Sequence, residues 1–439
     1  MPSSSSAPSM GTTPERLRLL FCDHLAIARG KYIPWREGRG GAARFCRGTF
    51  GVTFEKELIP APGAAVLEGL PDMEAVFEAD EVRPGWQPRT RVAVGDLKAN
   101  DGGPLPMCGR TALKRAVADW QALGYTPMVG IELEAYVFQI GADGSLKPYD
   151  TPSAHVYATG PFADPAGFTD ALWERAGAAG FRIDSMNTEY DSPQFELTLT
   201  YDHAVRAVDD IFLFRLLARE VAFEHGLLLT FMPKPILAQG GSGVHVNFSL
   251  NDAQGRNAIS GGPDASHLNE LTLACTAGLM RHHKALAGLL APSANSYERL
   301  QPASLSGFWQ NWAVDHRGVT VRLSAEPGPA ARIEHRMGDA CANPYTHTAA
   351  VLQAARLGWM HRYPLQPHET GDCLENKDAT ESVAADLTGA LDALEADSAL
   401  VQAVGEGLVA NHVGIKRHEI TRTAALEGDA LRDYYIRFI

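Results

Sequence analysis

The stretch that most limits what this chain can become is Gly130-Ile131-Glu132-Leu133-Glu134-Ala135-Tyr136-Val137-Phe138. Side chains alternate across a strand, so Glu132 and Glu134 face one side while Ile131 and Leu133 face the other. Like charges at i and i+2 repel unless something positive lies between them, and divalent cations with oxygen ligands are the usual answer. A solvated strand face would explain this segment taken alone. The rest of the chain supplies partners that favour the cation.

Three further stretches have the same character. In Asn187–Leu197 a strand pattern puts Gln194, Glu196 and Thr198 on one face and Phe195, Leu197 and Leu199 on the other, with Glu189 just ahead. A glycine-rich turn, Gly240-Gly241-Ser242-Gly243, runs into a strand whose His245, Asn247 and Ser249 share a face. Polar side chains on an otherwise apolar strand must find partners once buried. Arg332, Glu334 and Arg336 alternate in the same way. Glu132, Glu134, Glu189, Glu196, Glu334 and His245 thus form one set of six ligands, which divides between two divalent metals, three each. Arg299, Arg317, Arg322, Arg332 and Arg336 form a basic set. Cations and guanidinium forks around carboxylates are what phosphoryl transfer needs.

Other chemistries lose ground. The formal net charge of -13 lacks the basic footprint of a nucleic-acid binder. No apolar run reaches the length of a membrane span. There is no Walker-type glycine loop and no Gly-x-Ser-x-Gly. The six cysteines have no CxxC spacing, which reads as free thiols in a reducing, cytoplasmic setting rather than a zinc site or a disulfide frame.

Along the chain, residues 1–15 read as a disordered tail, Ser- and Pro-rich and unlike a signal peptide. Arg16–Pro34 reads as a strand followed by a turn at Arg29-Gly30-Lys31. A small, mostly β domain over 16–104 closes at the Asp101-Gly102-Gly103 cluster, and the remainder, 105–439, carries the chemistry. Helices are expected over 111–123, 166–179, 203–225 and 267–290, the last with His282 and His283 exposed, and the chain beyond Asn343 is helical in pattern.

In this order the motifs resemble the glutamine synthetase family, from about residue 16 to the C-terminus. The matching pieces are Glu132-x-Glu134, Glu189-x6-Glu196, Phe231-Met232-Pro233-Lys234-Pro235, Gly241-Ser242-Gly243-x-His245, Asn295-Ser296-Tyr297-x-Arg299, Arg332-x-Glu334-x-Arg336 and Asn343-Pro344-Tyr345. The resemblance implies an α+β fold: an N-terminal β-grasp-like domain and a catalytic domain with a curved antiparallel sheet, a half-barrel backed by helices. It implies ATP and two or more Mg2+ or Mn2+ ions as cofactors, and a homo-oligomer, usually a double-hexamer ring with active sites between subunits. One metal falls to Glu134, Glu189 and Glu196, the second to Glu132, His245 and Glu334. Arg299 and Arg336, with Gly241, grip glutamate. Arg317, Arg322 and Arg332 surround the ATP phosphates, and Ser249 and Asn247 lie on the nucleotide side. Arg317, Arg322 and Glu189 are the implied catalytic residues in a reaction through γ-glutamyl phosphate.

Four departures from the family pattern matter. The loop glutamate six residues after Arg299, which helps to bind ammonium, is Leu305. The N-terminal aspartate that deprotonates ammonium has no counterpart in Thr49–Thr53. The Asn ahead of Gly-Ser-Gly is Gly240, and the second histidine of the strand is Asn247. Losing the acids where ammonium sits disfavours a small cation there. The expected reaction joins the γ-carboxylate of glutamate to a small organic monoamine, as in the γ-glutamyl-amine ligase branch. The alternatives are ammonia-dependent glutamine synthesis and a non-catalytic family member.

Overall fold

A computed structural model describes residues 15–152 and 154–439, so the tail expected at the N-terminus lies, but for Glu15, outside the described residues. Seven strands come first: β1 (Arg16–Cys22), β2 (Ala28–Pro34), β3 (Gly41–Cys46), β4 (Asp72–Phe77), β5 (Arg83–Pro84), β6 (Thr90–Val94) and β7 (Asp96–Lys98). They form a four-stranded sheet, β2-β1-β6-β5, and a three-stranded one, β3-β4-β7. An antiparallel β1–β2 hairpin beside a parallel β1–β6 pair is the strand order of a β-grasp. No α-helix falls among these strands in the described residues. Arg29-Gly30-Lys31 is not the turn that its glycine suggests. It lies within β2, and Gly30 pairs with Leu20, while the turn is Asp23–Ile27. The Asp23 carboxylate makes that turn by accepting hydrogen bonds from the Leu25 and Ile27 amides, both at 2.9 Å.

The large sheet is built on β8 (Thr126–Ile140), which carries the two glutamates. Along with it come β9 (Leu146–Pro148), β10 (Ile183–Thr188), β11 (Gln194–Leu199), β12 (Asp202–His203), β13 (Leu227–Thr230) and β14 (Val244–Asn251). The short β15 (Trp312–Val314), β16 (Val321–Leu323) and β17 (Ile333–His335) complete it. The path is β10-β11-β8-β14-β17-β16-β15, and β9, β12 and β13 also pair with β8. All described pairings are antiparallel except β15 with β16, so the sheet is mixed and open rather than wholly antiparallel.

Its two faces differ as the alternation requires. Ile131, Leu133, Phe195, Leu197, Val244 and Val246 are all buried. Each such aliphatic or aromatic side chain contributes about 1.5–3 kcal/mol by leaving water, and together they fix the register, because a slip by one residue would turn them out. Helices pack around the sheet: α1 (Gly109–Ala122), α2 (Phe168–Ala178), α3 (Ala204–Glu224), α4 (Glu270–Arg281), α5 (His283–Leu290), α6 (Ser296–Arg299) and α7 (Pro344–His361). The C-terminal group is α8 (Leu387–Ala396), α9 (Ser398–Val404), α10 (Glu406–Thr423) and α11 (Gly428–Tyr435). Glycine allows the tightest of these contacts. A Cβ at Gly278 of α4 would lie 2.1 Å from the Ala354 carbonyl of α7, and one at Gly358 would lie 2.1 Å from that of Ala274.

The single helix expected over 267–290 is two, broken at His282, and neither histidine there is exposed. His282 lies with its Nδ1 2.6 Å from the Asp397 carboxylate at the start of α9, and the His283 Nε2 lies 3.3 Å from the Phe308 carbonyl. Tertiary packing against the C-terminal helices covers a face that the local pattern leaves open. No described helix is long and apolar enough to cross a membrane.

Candidate active site

Register brings the polar residues together. Glu132 stands directly across from Thr198 on one side and His245 on the other, and Glu134 stands across from Glu196. Asn247 faces Glu334, which in turn faces Arg322. Directly opposed residues share a face, so five neighbouring strands, β11, β8, β14, β17 and β16, present their polar side chains to one side. Glu189 joins them from the turn between β10 and β11.

Two triads result. One ligand atom each from Glu132, His245 and Glu334 lie within 4.8 Å of one another, and the same holds for Glu134, Glu189 and Glu196. Each is a three-donor set suited to a divalent ion, and the triads divide the residues as the sequence motifs implied. A third group, Glu55, Glu57 and His418, meets the same distance but is largely exposed, and Arg422 already grips Glu55 with two contacts of 2.7 Å.

The triads differ in charge. In the first, His245 Nδ1 lies 3.1 Å from Glu132 Oε2, and Asn247 Nδ2 donates to Glu132 Oε1 at 3.0 Å. Arg322 donates to Glu334 at 3.1 Å, and Arg336 donates to its other oxygen. Burial works to raise the Glu132 carboxyl, but His245, Arg336 and Asn247 outweigh it and hold it at about 2. In the second triad Glu134 accepts from the Gly243 amide at 2.8 Å and from Gln194 Nε2 at 3.3 Å, both neutral donors. Burial and the neighbouring glutamates push Glu196 up to about 8, and burial and Glu134 raise Glu189. Two carboxylates at the 4.8 Å limit repel by about 3.5 kcal/mol at an effective dielectric constant of 20. Three acids gathered with no lysine or arginine in ion-pair contact among the described residues, and only His245 Nε2 at 3.8 Å from Glu134, make a site for a cation.

The glycines set the close spacing. A Cβ on Gly241 would come within 2.6 Å of Arg299 Cγ, and one on Gly243 within 2.5 Å of Arg299 Nη2 and 2.8 Å of His245 Nε2. Arg299 is buried, and its guanidinium donates to the carbonyls of Met337 (2.7 Å) and Arg336 (3.2 Å), fixing the backbone beside Arg336. On the far side of Glu132 a cavity of about 350 Å³ is lined by Thr198, Tyr201, Asn247, Ser249 and Arg332. It gathers Asn247, Ser249 and Arg332 of the residues expected at the nucleotide, while Arg322 is not part of its lining.

Two expected residues stand apart. Arg317 is exposed on the turn between β15 and β16 and forms no ion pair among the described residues. Leu305 is 48% exposed on the loop after α6. Sequence reasoning overlooked Gln194 as a site residue. Its Nε2 reaches Glu134, the Gly241 carbonyl (3.0 Å) and Ser242 Oγ (3.2 Å), tying β11 to the glycine turn. Its place on the Glu196 face was the available signal.

Residues 106–434 match the glutamine synthetase catalytic domain, and the chain belongs to the glutamine synthetase family, whose members use ATP and divalent cations. The glutamine synthetase of Pyrococcus abyssi is 30% identical over 419 residues, covering 93% of this chain and 90% of that protein. A glutamate–isopropylamine ligase of a Pseudomonas species is 30% identical over 280 residues, 62% of this chain and 61% of that one. Among solved structures, a novel glutamine synthase homologue superposes with a TM-score of 0.83 at 25% identity, covering 98% of this chain and all of that one. Ligand-free GmaS gives 0.81 at 26% identity, with 96% of each chain covered.

Proposed function

We propose that this protein is an ATP-dependent ligase that joins the γ-carboxylate of glutamate to a small organic amine, releasing ADP and phosphate. Residue 305 carries the reading. Where the family pattern has an acid to help hold ammonium, this chain has a half-exposed leucine. The nearest acid after Thr49–Thr53, Glu55, is bound to Arg422. In the family pattern residue 305 belongs to the amine entrance, and an apolar side chain there favours a substrate with a carbon body over a bare, strongly hydrated cation.

In this reading Glu134, Glu189 and Glu196 hold one divalent ion, and Glu132, His245 and Glu334 hold the second. When bound, the ions screen phosphate charge and draw electron density from the transferring group. Arg336, its backbone fixed by Arg299, holds the carboxylate of glutamate, and the cavity between Ser249, Asn247 and Arg332 takes the nucleotide. A γ-carboxylate oxygen attacks the terminal phosphorus of ATP, the bond to the β-phosphate oxygen breaks, and ADP leaves. The neutral amine then attacks the acyl carbon, the bond from that carbon to the phosphate oxygen breaks, and the departing phosphate takes up the proton that the new amide nitrogen loses. Arg322, already on Glu334, would stabilise charge on the phosphoryl oxygens.

The test is phosphate release from ATP and glutamate across ammonium, methylamine, isopropylamine, ethanolamine, putrescine and aniline, with mass spectrometry of the products. Turnover with an organic amine well above that with ammonium is the expected result. A preference for ammonium overturns it and leaves ordinary glutamine synthesis.

A further inference from the structure

An acid that belongs to neither triad sits at the edge of the site. Asp191 lies on the turn between Glu189 and Glu196, and its Oδ2 accepts a hydrogen bond from the Gly240 amide. Gly240 is the position where the family pattern has an asparagine. A Cβ built there would lie 3.1 Å from that same oxygen, so the Asp191 carboxylate occupies the space beside the glycine turn that a side chain at 240 would enter.

Gly240 is pinned from both sides, because the Tyr136 hydroxyl donates to its carbonyl at 2.8 Å. Burial first, and then the charges of Asp191, Glu134 and Glu189 together, push the Tyr136 phenol up, which sets Asp191 beside the second triad. No lysine, arginine or histidine comes within salt-bridge distance of Asp191 among the described residues. Lys234 feels its charge, but its ammonium donates to the Gln239 carbonyl instead.

A carboxylate held against a substrate-side glycine turn, with no ion pair of its own, matches a positively charged group on a ligand. Both substrates of the proposed reaction can bring one. We propose that Asp191 is the receptor for a substrate ammonium group, filling the space that a side chain at residue 240 would enter and supplying a negative charge that the chain lacks at residue 305. The ammonium comes either from the α-position of glutamate or from the acceptor amine. This inference rests on the ligase reading.

Asp191→Asn is the discriminating variant, since it keeps an oxygen for the Gly240 amide and removes only the charge. Initial rates are measured against glutamate, the preferred amine and ATP in turn. The KM for one ammonium-bearing substrate rises about 10-fold or more, with kcat moved less and the KM for ATP unchanged. A rise for glutamate identifies the α-ammonium. A rise for an alkylamine, with none for neutral aniline, identifies the acceptor. Unchanged KM values for both overturn the inference and leave Asp191 as a brace for the turn. Asp191→Ser serves the same purpose if the first variant folds poorly. If the wild-type protein turns over no amine, the ligase reading has failed. Calorimetric binding of glutamate and of isopropylammonium to wild type and Asp191→Asn then decides about Asp191: weaker binding of either ligand by the variant supports it, and equal or no binding overturns it.

Discussion

The second triad holds a proton that a metal ion must expel. With Glu196 at about 8, about 0.9 of its carboxyls are protonated at pH 7 and about 0.1 at pH 9, by simple titration. Glu132, at about 2, has no proton to give at either pH. Binding a divalent cation to Glu134, Glu189 and Glu196 therefore releases close to one proton at pH 7 and almost none at pH 9. The assay is calorimetric titration with MnCl2 in two buffers of different ionisation enthalpy, whose difference in heat counts the protons. Glu196→Gln should cut the release sharply at pH 7. The sign also sets stability. A carboxyl raised in the folded state binds more protons there than in the unfolded chain, so metal-free stability falls as pH climbs from the ordinary value of about 4.3 through 8. Saturating metal should flatten that slope. A release below about 0.2 proton at pH 7, or the same release from Glu196→Gln, refutes the reasoning.

Leu305→Glu should raise the ratio of kcat/KM for ammonium over that for the organic amine, by about 10-fold if one charge–cation contact is restored; an unchanged ratio removes residue 305 from the amine site. Gly278→Ala should destabilise the fold by about 1–3 kcal/mol through overpacking of α4 on α7, read by urea denaturation, while the Mn2+ affinity of the surviving folded protein stays the same. The Asp397 carboxyl is worked upward by burial but held below its usual range chiefly by the His282 hydrogen bond. Its contribution is present above about pH 4 and lost as pH falls further, so His282→Ala should flatten the acid limb of a stability–pH curve.

Alternation made most of the site legible. Parity along a strand is set by the backbone, so Glu132, Glu134, Glu196, His245, Asn247 and Glu334 could be assigned to faces without a structure, and antiparallel register then aligned those faces. What failed depended on distant packing. His282 and His283 look like surface residues until Asp397 at the start of α9 and the Phe308 carbonyl meet them, because nothing within a turn of helix records what comes 25 or 115 residues later. Asp191 was missed for a related reason. A turn residue has no parity, and a carboxylate used to hold a glycine amide 49 residues away leaves no local pattern. The Arg29-Gly30-Lys31 misreading took glycine for a turn where the hairpin is made by Asp23.

Both triads are also late objects in the life of the chain. His245 and Glu132 are 113 residues apart, and the first triad does not exist until β8 has paired with β14 and β14 with β17, nor the second until β8 has paired with β11. Ions that bind only the paired sheet would draw the folding equilibrium toward it, so metal present during synthesis would favour correctly registered sheets over slipped ones. The register that makes the site is thereby inspected by the ligand the site was built to hold.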